Sequence, residues 1–152
     1  MNNASMRVCF VCMGNICRSP MAEAVFRHVA HDAGVDVEVA SAGTGGWHVG
    51  DGADRRALAA LRGRGYDGST HRARQFAREW FERYDLVIAL DRENEHSLRA
   101  LARDVPGADA KIRLLLGDAD VPDPYYGGDD GFEHVLDLVE GACERLLAEV
   151  RG

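Results

Sequence analysis

The stretch from Arg7 to Val29 constrains this chain more than any other. Arg7 to Val11 is a short apolar run containing the strand formers Val8, Phe10 and Val11. Ser19-Pro20 then reads as a helix start, with Ser19 as cap and Pro20 at the first helical position. Met21, Val25 and Val29 follow at i,i+4 spacing with Phe26 beside them, which makes one apolar stripe. Gly34 is placed to end that helix. The same alternation repeats along the chain. Val37 to Ala40 reads as a second strand, and Gly43 to Gly52 as a glycine-rich loop. Helices are expected over Asp54 to Arg62, Ala73 to Phe81 and Arg92 to Arg103. Leu86 to Leu90 is a continuous apolar run, as in a strand covered on both faces, and Ile112 to Leu116 reads as a fourth strand. A polar loop, Leu116 to Asp130, leads to a last helix from about Phe132, striped by Val135, Val139, Ala142, Leu146 and Val150. Strands alternating with helices imply an α/β domain with a mainly parallel sheet. A ligand site belongs at the carboxyl ends of such strands.

The 152 residues suit one domain with one core, and the polar Met1 to Ser5 reads as a disordered extension ahead of it. No apolar run reaches the roughly 20 residues of a membrane helix, and the N-terminus lacks signal-peptide blocks. A formal charge of −7 argues against nucleic acid as partner. The four cysteines, Cys9, Cys12, Cys17 and Cys143, have no secreted-framework spacing, so reduced thiols in the cytoplasm are expected. His28, His31, His48, His96 and His134 form no metal-binding spacing with cysteines or carboxylates, and no metal is expected.

The chemistry is concentrated in Cys12-Met13-Gly14-Asn15-Ile16-Cys17-Arg18-Ser19, between the first strand and the first helix. A turn there points successive backbone N–H groups inward, and the helix dipole adds partial positive charge, which makes an oxyanion cradle. Gly14 and Asn15 tolerate the unusual φ values of a tight loop. Arg18 supplies a planar fork that matches phosphate. Cys12 stands where the field of the cradle favours the thiolate, the form that acts as nucleophile. Ser19 can donate a hydrogen bond to that sulfur. Taken singly, Cys12 would be a buried strand-end cysteine and Arg18 a surface residue. Their coincidence with glycine, asparagine and Ser-Pro at the positions of one anion site favours the chemical reading.

Val11 to Pro20 resembles the signature of the low-molecular-weight protein tyrosine phosphatases. The resemblance continues through Ser41-Ala42-Gly43-Thr44, Trp47-His48, Ala73-Arg74, Asp91, Asn94 and Val121-Pro122-Asp123-Pro124-Tyr125. It implies a four-stranded parallel sheet with helices on both faces. It also implies hydrolysis of phosphotyrosine through a phosphocysteine on Cys12, with Arg18 binding the phosphoryl group and no cofactor. The phosphate loop would comprise Met13, Gly14, Asn15, Ile16, Cys17 and Ser19. By spacing alone, Pro122-Asp123-Pro124 is a surface turn; the resemblance makes Asp123 the general acid and base, with Asp120 the local competitor. Trp47, Tyr125 and Tyr126 would wall the substrate pocket. Ser41 and His71 would join Asn15 in a network supporting the loop. Asp91 reads as a helix cap, and secondarily as a support for the site. Cys17 is either packing or a resolving thiol that traps oxidised Cys12 as a disulfide. The implied partners are phosphotyrosine-containing proteins, a bacterial tyrosine kinase among them, and the implied state is a monomer away from membranes.

Three other functions share parts of this pattern. Thioredoxin-linked arsenate reductases need further cysteines in mid-chain, and none lies between Cys17 and Cys143. Protein-arginine phosphatases resemble this loop but with threonine at the position of Ile16. A phosphate-binding module would need neither Cys12 nor Asp123.

Overall fold

The computed structural model describes residues 5–151, apart from the Asp129 side chain. The first apolar run forms β1 (Met6–Cys12), followed by α1 (Arg18–Asp32), β2 (Val37–Gly43) and α2 (Arg55–Gly63). The second half contributes β3 (Leu86–Ala89), α3 (Arg92–Leu101), β4 (Ile112–Leu114) and α4 (Asp129–Arg151). The strands make one sheet in the order β2-β1-β3-β4. Every pairing in it is parallel. The expected four-stranded α/β sheet is therefore the observed one.

The pleat of β1 divides the core. Val8, Phe10 and Cys12 face one side, where they join Val25 and Phe26 of α1, Leu61 of α2 and Val139 of α4. Cys9 and Val11 face the other, against Phe76, Phe81 and Leu98. Both faces of the sheet are thus covered, which is why its central strands carry no polar alternation. From β1 the chain steps to β2 on one side and later returns to β3 on the other. The carboxyl end of β1 is therefore the switch point of the sheet, and Cys12 is its last residue.

Three expectations change at the level of single elements. Ala73 to Phe81 is not a helix. The Gly50, Ala73, Gly43 and Phe76 N–H groups bond the carbonyls of Ala73, Asp51, Arg74 and Gly43, respectively, so this segment lies extended beside the end of β2. Only Arg78–Glu82 turns, as a 3-10 helix. Tertiary hydrogen bonds outweigh the helical pattern there. Ser19 does not cap α1: the helix begins at Arg18 with Cys17 in the cap position and no side-chain cap bond. The Ser19 hydroxyl is engaged elsewhere, as shown below. The last helix starts at Asp129, ahead of the expected Phe132. Other punctuation holds. Gly34, at φ +71°, ends α1, and its N–H and that of Val35 bond the carbonyls of His31 and Ala30. Of the expected N-terminal extension, Ser5 donates a hydrogen bond to Asp36 at 2.5 Å; residues 1–4 lie outside the described residues. Among the described residues, no helix is long and apolar enough to cross a membrane.

Phe10 is the central packing residue of the sheet. It is fully buried, and its ring meets that of Phe26 edge-on, 5.7 Å between centroids. Phe10→Ala is expected to lower unfolding free energy by about 3–5 kcal/mol through the cavity it leaves. Urea denaturation of the two proteins measures this directly.

Candidate active site

The site is built around Asn15. Its backbone takes φ +59°, in the left-handed region that asparagine tolerates. That conformation turns the Asn15 N–H toward the Cys12 sulfur, 3.3 Å away. Both amide protons and the oxygen of the buried Asn15 side chain are engaged. Its Nδ2 donates to the hydroxyls of Ser19 at 2.8 Å and Ser41 at 2.9 Å, and its Oδ1 accepts the Arg74 N–H at 2.8 Å. Ser19 Oγ lies 3.0 Å from Cys12 Sγ. Ser19 Oγ accepts from Asn15, which leaves its proton for the nearer Cys12 sulfur or for the Ala42 carbonyl at 3.4 Å. Ser41 in turn donates to Glu23 at 2.6 Å, and His71 Nε2 bonds the Asn15 carbonyl at 2.7 Å. A Cβ at Gly43 would stand 2.8 Å from the Met13 carbonyl. Only glycine lets the end of β2 lie against the loop there.

Arg18 is buried beneath the loop. Its Nη1 donates to Asp91 Oδ2 at 2.7 Å and to the Val121 carbonyl at 2.9 Å. Asp91 also caps α3 by accepting the Asn94 N–H at 2.7 Å, so both expected roles fall on one carboxylate. Burial works against the charge on Arg18, but the Cys12 sulfur, Asp91 and Asp123 outweigh it and hold the guanidinium above its ordinary value. Its Nη2 faces Asp123 Oδ2 at 3.8 Å. Asp120 is turned away: it accepts the Arg92 N–H at 2.9 Å. Cys12, Met13, Gly14, Ile16, Cys17, Arg18, His48, Asp123, Tyr125 and Tyr126 line one cleft of about 150 Å³. A thiol, a guanidinium and a carboxyl therefore share a small pocket at the switch point of the sheet.

Comparison with known proteins agrees with this geometry. Residues 7–152 match the family model described as low molecular weight phosphotyrosine protein phosphatase. The chain belongs to the low-molecular-weight protein tyrosine phosphatases. A relative from Streptomyces coelicolor, a low molecular weight protein-tyrosine-phosphatase, is 59% identical over 95% of this chain and 93% of its own. The crystal structure of YfkJ from Bacillus subtilis superposes with a TM-score of 0.91 at 40% identity, covering 99% of this chain and 98% of that one. The structure of an arginine phosphatase from Drosophila gives 0.90 at 32% identity, covering 97% of this chain and 99% of its own. The protein is an enzyme, a phosphatase, and phosphoproteins are the substrates its family implies.

The phosphatase departs from the expected site in the pocket wall. Trp47 is 73% exposed, and its ring lies over Gly45, where a Cβ would clash at 1.8 Å. It does not line the cleft; His48 does. A Cβ on Gly14 would meet the His48 ring at 3.1 Å, so the loop glycine makes room for that histidine. Tyr125 and Tyr126 do line the cleft, the latter 87% exposed. Cys17 lies in the cleft as a free thiol. Burial, with Asp54 and Cys12 nearby, pushes it up to about 12. Glu23, the Arg74 N–H and the Asp54–Arg56 pair were absent from the sequence-based site. Glu23 had a signal in principle, because its place on α1 turns it toward the underside of the loop.

His71 is the titratable part of the support. It faces Glu23, Arg72, Arg74 and the Asn15 carbonyl. Burial, opposed by the bond to Asn15, holds it below the ordinary histidine value. The unfolded chain protonates this residue near pH 6.5, while the folded phosphatase does so only at lower pH. The unfolded state therefore gains protons first, and stability falls as pH drops below about 6.5. Replacement His71→Gln, which keeps a donor for Asn15, is expected to flatten that part of the Tm–pH curve. An identical slope in both proteins would remove His71 from the acid sensitivity.

Proposed function

We propose that this phosphatase hydrolyses phosphotyrosine in proteins through a phosphocysteine formed on Cys12. The observation that carries the reading is the placement of the Cys12 sulfur between the Asn15 N–H and the Ser19 hydroxyl, in the cleft that also contains Arg18 and Asp123. In the first step the Cys12 thiolate attacks phosphorus and the bond to the phenolic oxygen breaks. Arg18 and the loop N–H groups hold the three equatorial oxygens. Asp123 gives its proton to the departing phenolate. In the second step water attacks the phosphocysteine, Asp123 takes up a proton from that water, and the thiolate leaves with the Ser19 hydroxyl donating to it. Arg18 remains oriented throughout by Asp91 and the Val121 carbonyl. No cofactor enters this scheme.

The cleft favours an aryl phosphate over phosphoarginine. Met13, Ile16, Tyr125 and Tyr126 give it apolar and aromatic walls, which suit a phenyl ring. Phosphotyrosine peptides are therefore expected to turn over faster than phosphoarginine peptides of matched sequence.

Two substitutions test the mechanism. Cys12→Ser is expected to abolish turnover while vanadate still binds, because the cradle and Arg18 remain. Normal turnover by the purified variant would sink the nucleophile assignment. Asp123→Ala is expected to slow phosphotyrosine by about 10²–10⁴. An aryl phosphate with an electron-withdrawing ring should be slowed far less, since its phenolate leaves without a proton. The measurement is the dependence of rate on leaving-group pKa. A slope unchanged by Asp123→Ala would exclude Asp123 as the acid.

A further inference from the structure

The two loops of the cleft come from distant parts of the chain, and one ion pair spans them. Asp54 caps α2 by accepting the Arg56 N–H at 2.8 Å. The Arg56 side chain folds back on that cap, with Nε 3.1 Å from Oδ1 and Nη2 3.1 Å from Oδ2 of Asp54. This is a two-point pairing of guanidinium and carboxylate. Each partner also holds one loop of the cleft. The Asp54 N–H donates to the Ile16 carbonyl of the phosphate loop at 2.8 Å. Arg56 donates through Nη2 to the Tyr125 carbonyl at 2.9 Å and through Nη1 to the Gly127 carbonyl at 3.3 Å. Its guanidinium lies 4.7 Å from the centre of the Phe132 ring and 5.6 Å from that of Tyr125, which fixes its plane.

The Asp123 segment needs such a hold. On its amino side, Val121 is tied to the sheet by its N–H, which bonds the Leu90 carbonyl at 2.8 Å. Its own carbonyl accepts Arg18. On the carboxyl side, Asp123 accepts the Tyr125 N–H at 3.0 Å and Pro124 accepts the Gly127 N–H at 3.1 Å. Both bonds are internal to the segment, and the contact of Asp123 itself with Arg18 is a long one, at 3.8 Å. Among the described residues, the hydrogen bonds that reach Tyr125 and Gly127 from another part of the chain come from Arg56. The pair stays charged at working pH. Burial opposes the charge on Asp54, but its hydrogen bonds from Arg56 hold the carboxyl below its ordinary range.

We propose that Arg56, oriented by Asp54, is a positioning residue that sets the height of the Asp123 carboxyl above Cys12 by tying the acid loop to the phosphate loop. Arg56 touches neither phosphorus nor the leaving group; it acts through Asp123. The proposal rests on Asp123 being the general acid. Loss of the strut lets the carboxyl drift from the leaving oxygen, and a displacement near 1 Å is enough to cost about a hundredfold in a proton-transfer step.

The experiment is a double-mutant cycle with two substrates. In the single variant Arg56→Ala, kcat for a phosphotyrosine peptide is expected to fall about tenfold to a hundredfold. The activated aryl phosphate should change little, and inhibition by vanadate should be retained. Added to Asp123→Ala, Arg56→Ala should slow phosphotyrosine no further, because the group it positions is gone. Asp54→Asn, which keeps a capping oxygen but loses the ion pair, should share the steeper leaving-group dependence in milder form. Equal losses on both substrates, or losses that multiply with Asp123→Ala, would overturn the strut. Asp123→Ala alone is the control: if it fails to steepen the leaving-group dependence, the general-acid reading fails first. Should Arg56→Ala not fold, Arg56→Lys keeps the stem over Phe132 and the charge but loses the two-point pairing, and the same two-substrate ratio decides.

Discussion

The structure depends on one buried amide. Asn15 holds a left-handed backbone in the loop after β1, and its two amide protons and its oxygen are engaged by Ser19, Ser41 and the Arg74 N–H. A buried amide without these partners would cost about 1–3 kcal/mol for each unsatisfied group. The loop therefore has one favourable conformation, and that conformation aims its N–H at Cys12. The requirement propagates outward. Ser41 must lie on β2 beside the loop, the segment after Arg72 must lie extended to present its N–H, and Glu23 must be placed to accept from Ser41.

The electrostatics of the site run against those of the whole chain. The protein carries a formal charge of −7, yet its cleft gathers the N-terminus of α1, the Asn15 N–H directed at the Cys12 sulfur and a buried guanidinium. Asp91 compensates Arg18 at Nη1, while Nη2 faces Asp123 across 3.8 Å. An anion entering the pocket thus meets donors fixed in advance, which is the economical way to stabilise charge that develops during reaction. Net charge describes partners at long range; a local cradle decides what binds in it.

Much of this was legible along the chain. The strand–loop–helix unit is local in sequence, so Cys12 at a strand end and Arg18 at a helix start were legible from it. The alternation of apolar runs and stripes declared the parallel sheet for the same reason. Where the reading failed, the deciding partner was remote. Ala73 to Phe81 has helical composition, but its backbone groups find Gly43, Asp51 and Asn15 instead. Trp47 looks like a pocket wall, yet the glycines around it let its ring fold over Gly45 and yield the wall to His48.

The sequence by itself determined the class of fold and the place of the Cys12 to Ser19 loop at a strand end, because hydrophobic period and loop chemistry act between near neighbours. Only the tertiary structure decided which carboxylate serves which partner. Asp91, Asp120, Asp123 and Asp54 are equivalent as residue types. Packing sends Asp91 to Arg18, Asp120 to Arg92, Asp54 to Arg56 and Asp123 into the cleft. A carboxylate's role is set by what lies within about 4 Å of it, and for Asp91, Asp120 and Asp123 that distance is spanned by residues far apart along the chain.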